Sequence, residues 1–109
     1  MTSRIVHFPP EIEALPDFDG PFDAHRLGAD GCEVLFATYP AGTTIAPHTH
    51  PTDNVGVITK GQLVLTVAGP DGDTVISYGP GDWYHVPAET EHAARFETDS
   101  AEIEFWFSR

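Results

Sequence analysis

GTTIAPHTHPTDNVGVITKG, residues 42–61, is the stretch that decides the fold. It places His48 and His50 one residue apart, with Gly42 before them and Gly61 after. Extended backbone turns residues i and i+2 to the same side, roughly 6.6 Å apart along the chain. Two neutral imidazoles facing one way suit a divalent metal at about 2.0–2.1 Å. An isolated His-x-His is a weak signal, so the surrounding sequence has to carry the argument.

Outward from this stretch, turn residues recur throughout. Ten glycines and ten prolines spread over 109 residues leave no long 3.6-residue period. Only "PPEIEAL" reads as a short turn of helix, with proline at its start. The remainder reads as short strands: Glu33–Pro40, Val55–Thr59, Gln62–Ala68, then "TVISY", "WYHVP", "HAARFE" and "AEIEFWF". "TKGQ" reads as a hairpin turn around Gly61, and "GPDGD" as a second turn. The last strand alternates, with Ile103, Phe105 and Phe107 on one face and Glu102, Glu104 and Trp106 on the other. Many short strands with regular turns predict an antiparallel sandwich or barrel.

Composition narrows the partners. With 5 Lys+Arg against 17 Asp+Glu, the formal net charge is −12. That disfavours nucleic acid and anionic membranes, which need basic patches. An anionic ligand would find few cations: Arg4, Arg26, Lys60, Arg95, Arg109 and any metal. The single cysteine, Cys32, excludes an intrachain disulfide and fits a reducing, cytoplasmic setting. The N-terminal stretch has no apolar run long enough for a signal peptide or membrane span. At 40% hydrophobic and 11% aromatic, the chain can bury a core as one small domain.

A second cluster lies in "GPGDWYHVPAETEHAARF", where Gly81, Pro87 and His92 recur at fixed spacing. Gly42, His48, His50 and Gly61 together with Gly81, Pro87 and His92 resemble, in register, the two motifs of the cupin superfamily. The likeness runs from about Cys32 to Phe107. It implies a single-domain all-β cupin barrel over residues 32–109, with residues 1–31 packing on or extending it. It also implies one divalent ion (Fe, Mn, Ni or Zn) held by His48, His50 and His92. The motif glutamate falls on Asn54, the second motif's glycine on Glu89 and its asparagine on Phe96. Asn54 would then be a weak, neutral fourth ligand, with Asp53 as the alternative oxygen donor. "HTHPTDN" is also similar to short bacterial cupins that read His-x-His-Pro, two residues, Gln, some of which ketonise unsaturated uronates.

Tyr84 and His85 alternate on one strand, so one of them faces the interior and is the candidate proton handler. Trp83 shares the parity of His85. His7, His25, Arg26 and Arg95 read as structural or surface residues, and Phe36, Phe96, Phe105 and Phe107 as core or pocket wall. The resemblance implies a small-molecule enzyme using a metal as Lewis acid on an oxygen-rich substrate. An Fe(II) dioxygenase and a non-catalytic ligand-binding or sensory protein are the rivals. A homodimer is expected, because open sheet edges need covering, with Trp106 in the contact.

Overall fold

The structure is a computed structural model, and it describes residues 6–108. Arg4, Arg109 and the first five residues of the expected N-terminal segment lie outside the described residues.

One helical turn, α1 (Pro10–Glu13), precedes nine strands. These are β1 (Asp23–Ala29), β2 (Cys32–Tyr39), β3 (Thr43–His48), β4 (Asn54–Lys60), β5 (Leu63–Val67), β6 (Thr74–Tyr78), β7 (Trp83–Val86), β8 (His92–Phe96) and β9 (Ser100–Phe107). They form two antiparallel sheets, one ordered β1-β2-β9-β4-β7 and the other β3-β8-β5-β6. The sheets face each other across a core that includes Leu35, Tyr39, Ile58, Leu65, Val86 and Phe96. This is the expected all-β barrel. β1 and β3 are additions to the strands read from sequence. β1 extends the larger sheet by pairing Asp23–Ala29 with β2, and upstream Phe8 packs edge-on against Phe36.

The turn at Gly61 differs from its sequence reading. It is not a hairpin: β4 pairs with β9 and β7, whereas β5 pairs with β8 and β6. The turn therefore carries the chain from one sheet to the other. Gly61 has φ +81, and a Cβ there would stand 2.2 Å from Ser100 Oγ. That oxygen is also the acceptor for the Gln62 amide at 3.1 Å. "GPDGD" does close a true hairpin, because β5 and β6 pair directly.

The last strand has the expected alternation but the opposite polarity. Glu102 and Glu104 are 3% and 2% exposed and face the interior. Phe107, at 37% exposure, lies on the outer face. Side-chain period 2 fixes which residues share a face and says nothing of which face is inside. Registration across the larger sheet sets Glu104 beside Leu35 on one flank and Gly56 on the other, with Tyr84 beyond Gly56. A Cβ on Gly56 would lie 2.4 Å from the Tyr84 ring. The missing side chain is what allows a tyrosine to lie inward over β4.

Candidate metal centre

His48 ends β3 and His92 opens β8, and the two are paired in register across the smaller sheet. His50 lies just past the strand end rather than on it. β3 is an edge strand, which accommodates Pro47, and its pairing with β8 shifts between Ile45 and His48. The irregularity falls immediately before the first histidine. A backbone bond from the Glu89 amide to the His50 carbonyl, 2.7 Å, ties the second histidine to the β7–β8 loop. Glu89 holds the left-handed conformation with φ 65, at the position where the second motif carries glycine.

The three rings converge. His48 Nε2 and His50 Nε2 are 3.1 Å apart. One ligand nitrogen from each of His48, His50 and His92 lies within 4.8 Å of the others. Two nitrogens about 2.1 Å from a common ion at right angles stand about 3 Å apart, so this spacing fits shared coordination. Orientation comes from the backbone. His48 Nδ1 lies 2.7 Å from the Ala46 carbonyl, and His92 Nδ1 lies 2.9 Å from the Thr90 carbonyl. Donation from these Nδ1 atoms leaves each Nε2 with its lone pair toward the cluster, the usual outer-shell arrangement of ligating histidines. Burial, then the neighbouring His48 and His92, lower the His50 pKa to about 4. Burial also lowers His92, against the hydrogen bond to Thr90. Neutral imidazoles are the form a metal requires. The donor set therefore fits a divalent ion.

The cluster opens onto a cavity of about 610 Å³ between the sheets. Asn54 is buried and lines it, with Nδ2 donating to the Phe105 carbonyl at 3.3 Å. The amide oxygen is then the end available to a ligand. Asp53 points elsewhere. Its carboxylate accepts from the Ala88 amide at 2.8 Å and contacts His85 Nε2 at 3.0 Å. The Ala88 bond, then the His85 bond, lower its pKa. Strand β7 resolves the parity of its two candidates: Tyr84 faces inward at 6% exposure, while Trp83 and His85 face out. His85 does not line the cavity.

Sequence reading missed the deeper wall of this cavity. The Tyr84 hydroxyl donates to Glu102 Oε1 at 2.6 Å. The Tyr39 hydroxyl donates to Glu104 Oε2, and Trp106 Nε1 donates to Glu104 Oε1 at 3.0 Å. Burial and the two glutamates raise the pKa of both tyrosines, which keeps them as donors. Trp106 was expected in a subunit contact. Instead its ring meets His50 edge-on at 4.6 Å. The signal was present as Glu102-x-Glu104-x-Trp106, but such alternation ordinarily marks a solvent face. Among the described residues no lysine or arginine lines the cavity. Arg26 and Arg95 are exposed and pair with Glu33 and Glu97.

The cupin domain model matches residues 35–107, and the chain belongs to that family. Solved structures agree on the fold. A mutant of Bacillus subtilis oxalate decarboxylase superimposes with TM-score 0.74 at 12% identity, covering 88% of this chain and 28% of that one. The chain thus spans little more than a quarter of that enzyme's length. The Fe(II) form of HppE, with an alternative substrate, gives TM-score 0.72 at 11% identity, covering 88% of this chain and 57% of that one. A cupin superfamily protein from Desulfitobacterium hafniense gives 0.71 at 18% identity, covering 91% and 88%. No curated protein matches the chain by sequence.

Proposed function

We propose that the chain is a metal-dependent enzyme acting on a small, oxygen-rich molecule, with isomerisation or ketonisation of a sugar acid or keto-acid as its reaction. The observation that carries this reading is the convergence of three imidazoles in the wall of a cavity of about 610 Å³. His48, His50 and His92 would hold one divalent ion, and Asn54 would offer a neutral fourth oxygen. Such an ion, keeping its full charge among neutral donors, supplies Lewis-acid polarisation of a carbonyl or enol oxygen. Proton handling would fall to the side of the barrel that Tyr84 faces, since His85 is on the outer surface. The apolar walls, among them Leu63, Leu65, Val86 and Phe96, exclude water from the reacting centre. Solved relatives by fold include a Mn(II) oxalate decarboxylase and an Fe(II) protein, which supports metal chemistry in this architecture.

The test is to load the protein with Zn²⁺ or Fe²⁺ and screen unsaturated uronates, keto-acids and catechols with an oxygen electrode running. Turnover with Zn²⁺ and no O₂ uptake is expected. Turnover with Fe²⁺ alone and stoichiometric O₂ consumption would identify a dioxygenase. Tight ligand binding without turnover would identify a sensor.

The chain is also proposed to form a cytoplasmic homodimer through the outer face of the larger sheet. Trp83 is 59% exposed there, and it stacks on Phe105 at 6.0 Å. Leu27 and Phe107 on the same face are 44% and 37% exposed. Sedimentation should show a dimer whose Kd rises about tenfold or more in Trp83→Glu. A wild-type monomer at micromolar concentration would end this proposal.

A further inference from the structure

The metal centre occupies only one part of the cavity. Another part of its wall is a pair of buried carboxyl groups, Glu102 and Glu104, successive inward positions on β9. Their hydrogen bonds are unequal. Glu104 accepts from two donors, Tyr39 and Trp106, whereas Glu102 accepts from Tyr84 through Oε1 alone. Glu102 Oε2 is buried and accepts no hydrogen bond from the described residues, while the Glu104 carboxyl lies within hydrogen-bonding reach of Glu102. Two buried carboxyls this close cannot both stay ionised, so the pair holds a proton in the cavity wall. Trp106 links the two regions, with its ring against His50 and its nitrogen on Glu104.

We propose that Glu102 is the proton donor of this cavity: the carboxyl that shares a proton with Glu104, is oriented by Tyr84, and lines the space beside the small molecule held at the histidines. The inference rests on the metal-dependent reading above and adds the acid to it.

The surroundings support a neutral acid. Burial, then the neighbouring Glu104 carboxyl, push Glu102 well above the usual carboxylate range. The Tyr84 hydrogen bond acts the other way and is outweighed. The groups facing it are Glu104 on its own strand, Tyr39 from β2 and Tyr84 from β7, while β4 presents Asn54, Gly56 and Ile58. None of these is a cation. With Oε1 occupied by the tyrosine hydroxyl, the carboxyl proton is shared with Glu104. In ketonisation, Glu102 gives that proton to carbon as the C=C electron pair forms the new C–H bond. The proton lost from the enol hydroxyl returns to the Glu102–Glu104 pair. Proton and electron counts are unchanged, and no oxidant is needed. Tyr84 is a positioning residue in this scheme.

Infrared difference spectroscopy on the full chain tests the assignment, first without metal and then loaded with Co²⁺, using acetohydroxamate as a chelating enediol mimic. At neutral pH the wild type should show a protonated-carboxyl C=O band. Glu102→Gln should lose it, and the exposed control Glu97→Gln should keep it. Tyr84→Phe should shift it, because Oε1 loses a donor. Acetohydroxamate, once its chelation is visible in the Co²⁺ absorption spectrum, should also shift the band. With a substrate found in the screen, Glu102→Gln should lower kcat about 10²-fold or more. Absence of the band in wild type overturns the inference and leaves the metal reading intact. A band that chelated acetohydroxamate does not move overturns it too, since the pair would then be structural. No Co²⁺ uptake removes the metal reading and with it the role assigned to Glu102.

Discussion

Trp106 stands edge-on to His50, with ring centroids 4.6 Å apart and planes at 90°, while its nitrogen donates to Glu104 at 3.0 Å. One indole therefore touches both polar regions of the cavity. The second tryptophan, Trp83, lies on the opposite face of the same sheet. A paramagnetic ion at the histidines should quench Trp106 fluorescence and leave Trp83 largely unaffected. Titration with Co²⁺ should quench wild type and Trp83→Phe, but not Trp106→Phe. Equal quenching in both variants would place the ion elsewhere.

Gly56 is a position where a single methyl has no room. Its Cβ would come within 2.4 Å of the Tyr84 ring and hydroxyl, in a row that continues to Glu104. Overpacking of this kind costs about 1–3 kcal/mol. Gly56→Ala should lower the denaturation midpoint without changing its slope. Combined with Tyr84→Phe it should remain destabilising, because the ring atoms clash as well as the hydroxyl.

Glu89 presents the opposite case. Its φ of 65 costs a side-chain-bearing residue about 1–2 kcal/mol in regular left-handed geometry. Glycine removes that cost but adds unfolded-state entropy. Glu89→Gly should therefore stabilise the protein by roughly 0.5–1 kcal/mol, read by urea unfolding. The His50 carbonyl contact with residue 89 is made through the backbone, so metal content should be retained.

Glu102 fixes a pH dependence. Its carboxyl is raised in the folded state above the ordinary 4.5, so the folded chain binds more protons than the unfolded one as pH rises past that value. Stability is then fullest below about 4.5 and is lost as pH rises through the folded-state value. Glu102→Gln removes this slope. Its thermal midpoint should gain on wild type steadily as pH rises from the acid range. Parallel curves for the two proteins would contradict a raised carboxyl.

The architecture was legible because turn residues punctuate the chain and because two spaced motifs carry their own register. Gly42, His48, His50, Gly61, Gly81, Pro87 and His92 are enough to state a family, and the structure brings the three histidines together. Period 2 was legible too, as β7 and β9 show. The inside of each strand was not. Sequence left Tyr84 and His85 open, and the polarity of β9 read backwards, because glutamates ordinarily face water. Only the second layer, with two tyrosine hydroxyls and an indole, makes the interior polar enough to hold them. The Gly61 turn failed for a related reason: adjacent strands with a tight turn pair in most sheets, and sequence does not show a change of sheet.

The pairing of His48 with His92 across β3 and β8 has a mechanical side. β3 is a border strand with a neighbour on one flank only, and it carries a proline and an irregular register. An ion gripped by residues 48, 50 and 92 would act there as a removable cross-link, joining a border strand to the next one in. How readily that border breathes, seen as amide exchange along Thr43–His48, would then be set by the free metal concentration in the surrounding solution.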